Sequence, residues 1–147
     1  MRKGTYLLSL TLLSDKEIDV GSRGKIRFPA GKYFYAGSAM NGLDRRIGRH
    51  FSREKKMRWH IDYLTVRADA MEAYVSESPG EIGECRLAET MEKAGWTPVK
   101  GFGCSDCGCY SHLFRAAEKD SSEPLKVLDS ASGSATTLII YQALPTL

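Results

Sequence analysis

Arg46 and His50 stand four residues apart in Leu43-Asp44-Arg45-Arg46-Ile47-Gly48-Arg49-His50-Phe51, so on a helix they lie one above the other. A guanidinium beside an imidazole can neutralise developing negative charge and handle a proton. The same pair also fits an ordinary surface ion-pair role. Leu43, Ile47 and Phe51 form the apolar stripe of that helix, with Arg46 and His50 along its edge. Arg45, Arg49 and Arg53 form a separate ridge. From Arg45 to Arg58, counting Lys55, Lys56 and Arg58, there are seven basic residues against the single acid Glu54. Such a stretch suits a polyanion whose condensed counterions are released on binding, although a solvated helix face has the same composition.

Two further groups of residues could hold metals. Leu87, Ala88, Met91 and Ala94 fall on one face of a candidate helix, and Glu84 sits near the middle of that face. An ionised carboxylate among apolar side chains is costly unless it is paired or bound to a cation, which makes Glu84 a candidate ligand. Alternatively, the helix begins at Glu84 and the carboxylate caps its first turn. Cys104, Cys107, Cys109 and His112 place four soft or borderline ligands within nine residues, as a compact zinc site would need. Cys85 is a further ligand if the fold brings it near. Free cysteines packing a Gly-rich loop, or a redox-sensitive pair, account for the same spacing. His112 has a second possible place, lining the cleft formed by the basic helix. Trp59, Tyr63 and Trp96 offer either core packing or stacking surfaces for unpaired bases.

The elements that must position these groups read as α+β. A chain of 147 residues has room for one core. Thr5 to Leu13, Gly24 to Phe28 and Lys32 to Gly37 are strand-like, and short turns between them predict a small antiparallel three-stranded central sheet flanked by helices. Asn41 is the expected N-cap of a helix reaching Phe51 or Arg53, with Asp44 in its third position. Trp59 to Ala68 and Ile82 to Ala94 are expected helices, the latter ended by Gly95. Met71 to Ser76 and Ser111 to Arg115 are short strands. Residues 1–116 read as one domain with a Cys-rich loop. Residues 117–147 turn Ser-, Ala- and Thr-rich, a low-complexity and flexible tail in which Leu138 to Tyr141 has strand character. No apolar run approaches the roughly 20 residues of a membrane span, and the N-terminus lacks a signal-peptide pattern. The expected compartment is therefore the cytoplasm, with no membrane partner and with thiols in place of disulfides.

Two tyrosine motifs complete the pattern. Gly4-Thr5-Tyr6 opens the first strand, and Tyr35-Ala36-Gly37 closes the third just before the basic helix. This order, G-x-Y, then Y-x-G, then a helix with an arginine and its i+4 histidine, resembles the GIY-YIG nuclease superfamily. Thr5 and Ala36 stand where the family name has isoleucine, and the hairpin around Ser14 to Gly31 is longer than in compact members. An asparagine that some members place in the site has no clear counterpart. The chain to about Arg115, including Gly101-Phe102-Gly103-Cys104-Ser105-Asp106-Cys107-Gly108-Cys109-Tyr110-Ser111-His112-Leu113-Phe114, looks closer to a prokaryotic branch. That branch, long labelled a domain of unknown function, is sometimes fused to endonuclease III-like repair glycosylases.

The resemblance implies a divalent-metal-dependent endonuclease acting on DNA, RNA not being excluded, in the setting of DNA repair. Its implied catalytic set is Tyr6, Tyr35, Arg46, His50 and Glu84. Glu84 would hold Mg2+ or Mn2+, and Zn2+ would belong to the cysteine loop. Arg45, Arg49, Arg53, Lys55, Lys56, Arg58 and His60 would meet the nucleic acid, His60 matching a further histidine of some homing endonucleases. A tyrosine, with a reference pKa near ~10, needs a cation or a proton acceptor beside it to act as a base. Tyr6 assisted by His50 is the favoured assignment, with Tyr35 as the open alternative and the remaining tyrosine orienting water or phosphate. The alternative is a non-catalytic nucleic-acid-binding module that keeps the scaffold, as partner of a repair glycosylase.

Overall fold

A computed structural model describes residues 4–39, 42–76, 84–103, 110–116 and 138–143, with the backbone alone for 39, 76, 84 and 138–143. The architecture is α+β. In chain order the elements are β1 (Gly4–Leu12), β2 (Lys16–Asp19), β3 (Lys25–Phe28), β4 (Gly31–Ala39), α1 (Leu43–Phe51), α2 (His60–Thr65), β5 (Ala70–Ser76), α3 (Glu84–Lys93), β6 (Thr97–Pro98), β7 (Leu113–Arg115) and β8 (Leu138–Ala143).

β1 is the axis of the sheet. Its sequence carries no charge, and Thr5 to Leu10 are all buried, as expected of a strand covered on both faces. It pairs antiparallel with β4 on one side and β5 on the other. The full order is β6-β7-β4-β1-β5-β8. The three-stranded meander expected from the sequence is therefore corrected: the sheet has six strands, and Lys25–Phe28 is not among them. That segment pairs with β2 in a separate two-stranded ribbon. Lys25-Ile26-Arg27-Phe28 alternates charged and apolar residues, so it buries one face only. It cannot replace β4 beside the two-faced β1. Ile18, Val20 and Phe28 anchor the ribbon to the core.

Alternation along β1 divides the interior in two. Tyr6, Leu8, Leu10 and Leu12 face Leu43 and Ile47 of α1, Ile61 and Leu64 of α2, and the ribbon. Leu7, with Phe34 and Ala36 of β4, faces Leu87, Ala88 and Met91 of α3 and also Trp96 and Phe114. Trp96 lies stacked on Phe34 at 4.6 Å between ring centroids and is 3% exposed, which makes it core and removes it from the candidate stacking surfaces.

Helix boundaries differ from expectation at their ends. α1 is capped by Gly42 at φ 77, a left-handed conformation that glycine adopts without penalty, and Asp44 is its second residue. Asn41, the expected cap, lies outside the described residues. α2 is shorter than Trp59 to Ala68. Asp62 Oδ2 accepts the Arg58 and Trp59 amides at 2.8 and 3.0 Å, which sets its start. Of the helix expected from Ile82 to Ala94, α3 covers Glu84–Lys93, with Ile82 and Gly83 outside the described residues, and Gly95 at φ 87 follows its end as anticipated. β8 pairs with β5 along its length, from Leu138 opposite Ser76 to Ala143 opposite Met71. Among the described residues no helix is long and apolar enough to cross a membrane.

Candidate functional site

Register brings the two motif tyrosines together. Tyr6 lies opposite Gly37, and Tyr35 opposite Leu8, so both rings emerge on the α1 face one step apart. A side chain at Gly37 would run into the Tyr6 ring, so the glycine of the second motif is the space that the first motif's tyrosine occupies. Gly103, at φ +73, plays the same part for Tyr35, since a Cβ there would stand 2.8 Å from Tyr35 Cε1.

His50 descends from the buried edge of α1 between them. Its Nε2 is 2.7 Å from the Tyr6 hydroxyl, and its ring meets Tyr35 edge-on at 6.2 Å between centroids. Both Tyr6 and His50 are 1% exposed, whereas Tyr35 is half-buried. Burial first, then the Lys55 cation and the Arg46 and Arg49 guanidinia, push the His50 pKa down to about 3 against an opposing pull from Asp62. The imidazole is thus neutral, which leaves one ring nitrogen without a proton. Among the described residues Nδ1 has no hydrogen-bond partner. The neutral ring meets Tyr6 through Nε2 alone.

Arg46 lies beside this pair. Its guanidinium donates to the Ser38 carbonyl at 3.2 Å and sits over the exposed Trp59 ring at 4.8 Å. Arg49 covers the same ring at 4.5 Å and forms a bidentate pair with Asp62 at 2.7 and 2.9 Å, while also donating to the Lys56 carbonyl. Asp62 is fully buried. Burial alone would raise its carboxyl, but Arg49 and the two amides outweigh that and hold it below the usual carboxylate range.

The remaining basic residues divide by their partners. Arg53 donates to the Thr65 and Ala68 carbonyls. Lys55 caps the end of α1 on the Arg49 and His50 carbonyls and reaches Thr65 Oγ1. Burial first, then its guanidinium neighbours, bring it down to about 8 despite Asp62. Arg45, Lys56 and Arg58 are exposed. His60 accepts the Gly103 amide on Nδ1 at 3.1 Å and packs against Phe102. The sequence did not point to Asp62 as the keystone of the basic segment. The available signal was a single acid in the first turn of a helix that follows seven bases.

α3 packs on the sheet face opposite α1, and the side chain of its first residue, Glu84, lies outside the described residues. Asp62, the carboxylate that acts on His50, already accepts four hydrogen bonds. The described residues around Tyr6, Tyr35 and His50 therefore do not by themselves fit a divalent cation, and no group of three metal-ligating side chains occurs among the described residues. Cys104, Cys107 and Cys109 lie outside them. The structure does bring Cys85, half-buried on α3, to the buried His112, with Sγ 3.6 Å from Nε2. Two ligands on one tetrahedral zinc, at bond lengths of about 2.3 Å to sulfur and 2.0 Å to nitrogen, stand about 3.6 Å apart. This pair fits half of such a site.

No curated protein and no solved structure matches the chain. A family model does, over residues 5–133, which spans β1 through the cysteine segment and beyond β7. The chain belongs to the family described as domain of unknown function DUF123.

Proposed function

We propose that this protein is a nucleic-acid phosphodiesterase, an endonuclease acting on DNA, with the Tyr6–His50 pair as its proton-handling unit. The observation that carries the reading is the buried 2.7 Å contact between the Tyr6 hydroxyl and the Nε2 of a neutral imidazole. When Tyr6 donates its O–H to Nε2, the phenol oxygen turns its lone pairs away from His50. They are then placed to accept a proton from an attacking water. As the phenol takes the water proton its own O–H proton passes to His50 Nε2, and burial, which opposes a resident imidazolium, favours its return to Tyr6 as the phenol gives a proton to the leaving oxygen. Arg46 and Tyr35, the half-buried members, are the groups exposed enough to meet a phosphate directly. Arg46 would neutralise charge on the phosphoryl oxygens, the part for which a planar guanidinium is best suited.

A divalent ion, Mg2+ or Mn2+, would supply Lewis-acid activation of the phosphate. In this chain its ligand would be Glu84, and no step above runs through it. Zn2+ is proposed for the cysteine segment, held by Cys85 and His112 with two thiolates from among Cys104, Cys107 and Cys109. The repair setting and a glycosylase partner rest on the resemblance to the GIY-YIG nucleases alone.

One observation favours the second reading, a binding module without catalysis. Asp62, which is saturated by Arg49 and two amides, is the carboxylate that acts on the described cluster. Cleavage of a panel of labelled DNA structures with Mg2+ or Mn2+ decides between the two. The nuclease predicts metal-dependent cutting that Tyr6→Phe and Glu84→Ala each abolish. Binding without cutting, unchanged in both variants, leaves the module.

A further inference from the structure

Behind Trp59, on the side of α2 and the ribbon, lies a cleft of about 580 Å3 that none of the chemistry above employs. Arg23, Arg58, Trp59, His60, Tyr63 and Gly101 line it. Its volume is in the range of pockets that hold small organic ligands. Two features of its construction are informative. Among the described residues no carboxylate lines it, whereas two guanidinia do. Its walls also come close to bare backbone at two glycines in left-handed conformations. A Cβ at Gly101 (φ +70) would stand 2.8 Å from the Arg23 guanidinium, and one at Gly21 (φ +50) would stand 3.0 Å from the Tyr63 hydroxyl. Arg23 is held further by donation to the Lys100 carbonyl at 2.7 Å. His60 accepts the Gly103 amide on Nδ1, which puts its ring proton on Nε2 and makes it a donor.

Two aromatic rings, a neutral N–H donor and two guanidinia without a competing acid match a planar base joined to a phosphate. Trp59 links the cleft to the Tyr6–His50 cluster. It forms one wall of the cleft and lies 6.4 Å from the His50 ring, under the Arg46 guanidinium. A strand entering the cleft would pass Arg46.

We propose that this cleft is a subsite for one unpaired nucleotide of a DNA substrate, its base on Trp59 and Tyr63 and its phosphate against Arg23 and Arg58. The inference rests on the nucleic-acid reading above but not on catalysis. It narrows the substrate to DNA with a single-stranded segment beside the cutting position, since a paired base is already stacked within its duplex and cannot enter.

Intrinsic fluorescence tests this directly. The chain has two tryptophans, and Trp96 is buried against Phe34, so an added ligand is reported by Trp59. In EDTA, where nothing is cut, a 12-residue oligothymidylate should quench the emission saturably, whereas a blunt duplex should not. Anisotropy of a labelled oligonucleotide should show Trp59→Ala and Arg58→Ala each weakening single-strand binding about ten-fold, with duplex binding changed less than two-fold. Arg58 is exposed, so its variant folds whatever the fate of the Trp59 one, and it should lower the salt slope by about one. Equal effects on both DNAs, or no quenching by the single strand, overturn the subsite. So does an equal response to an oligoribonucleotide, which would make RNA the ligand. If quenching holds while no DNA is ever cut, the nuclease reading fails and the subsite stands.

Discussion

The Tyr6 hydroxyl and His50 Nε2 lie 2.7 Å apart across 44 residues of sequence, and neither residue is more than 1% exposed. Tyr6→Phe removes the Nε2 partner of an imidazole whose Nδ1 has none among the described residues. Stability should fall by about 1–3 kcal/mol, the cost of a buried polar group left unmatched, read as a lower urea midpoint with unchanged slope.

His50 also makes stability depend on pH. Its folded pKa of about 3 lies below the ordinary value of 6.5. The unfolded chain therefore binds the extra proton first as pH falls. The folded state is undiminished above pH 6.5 and loses stability below it, by up to about 1.4 kcal/mol per pH unit until pH 3. Urea melts at pH 7.5 and 5 should differ accordingly in the wild type, and the difference should shrink in His50→Gln.

Gly37 and Gly48 give opposite expectations for the same change. Gly37→Ala drives a methyl into the Tyr6 ring and should cost about 1–3 kcal/mol, with loss of the Tyr6–His50 contact. Gly48→Ala, on the exposed side of α1 with nothing within 4 Å of the new Cβ, should stabilise by about 0.5–1 kcal/mol. Thermal melts of the two variants check both signs.

Asp62→Asn removes the charge facing Arg49 and one of the three acceptors its guanidinium donates to. The pair is buried on one side and Arg49 keeps 21% of its side-chain exposure, so the cost should be about 2–4 kcal/mol, below that of a wholly buried pair. Trp59 should also gain mobility as its guanidinium cover loosens, seen as a change in fluorescence anisotropy.

If Cys85 and His112 hold half of a zinc site, the purified protein should carry about one zinc per chain, and Cys85→Ser should lower both metal content and melting temperature. Metal content by elemental analysis decides it, and a metal-free, equally stable wild type would remove zinc from the account.

Local chemistry was enough to locate most elements. Charge-free β1, the Leu43–Ile47 stripe of α1 and the terminator Gly95 are all readable within a turn or two of chain, because strand and helix periodicity depend on near neighbours. The tyrosine motifs marked their strands but not the pairing of the two, since the expected meander set Gly24 to Phe28 between them. Which guanidinium remains available was not readable. Arg45, Arg49 and Arg53 form one ridge by sequence, yet Arg49 is taken by Asp62 and Arg53 by carbonyls 12 and 15 residues away, while Arg45 stays exposed. The ribbon's separation from the sheet, the meeting of Cys85 with His112 and the cleft joining Arg23 to Gly101 have the same origin. Each depends on what a residue meets after the chain has folded back on itself, and neither propensity nor periodicity carries information across that distance. The residue types and their local phase were determined by the sequence alone. Tertiary structure decided which of them are spent on holding the fold and which are left to meet a ligand.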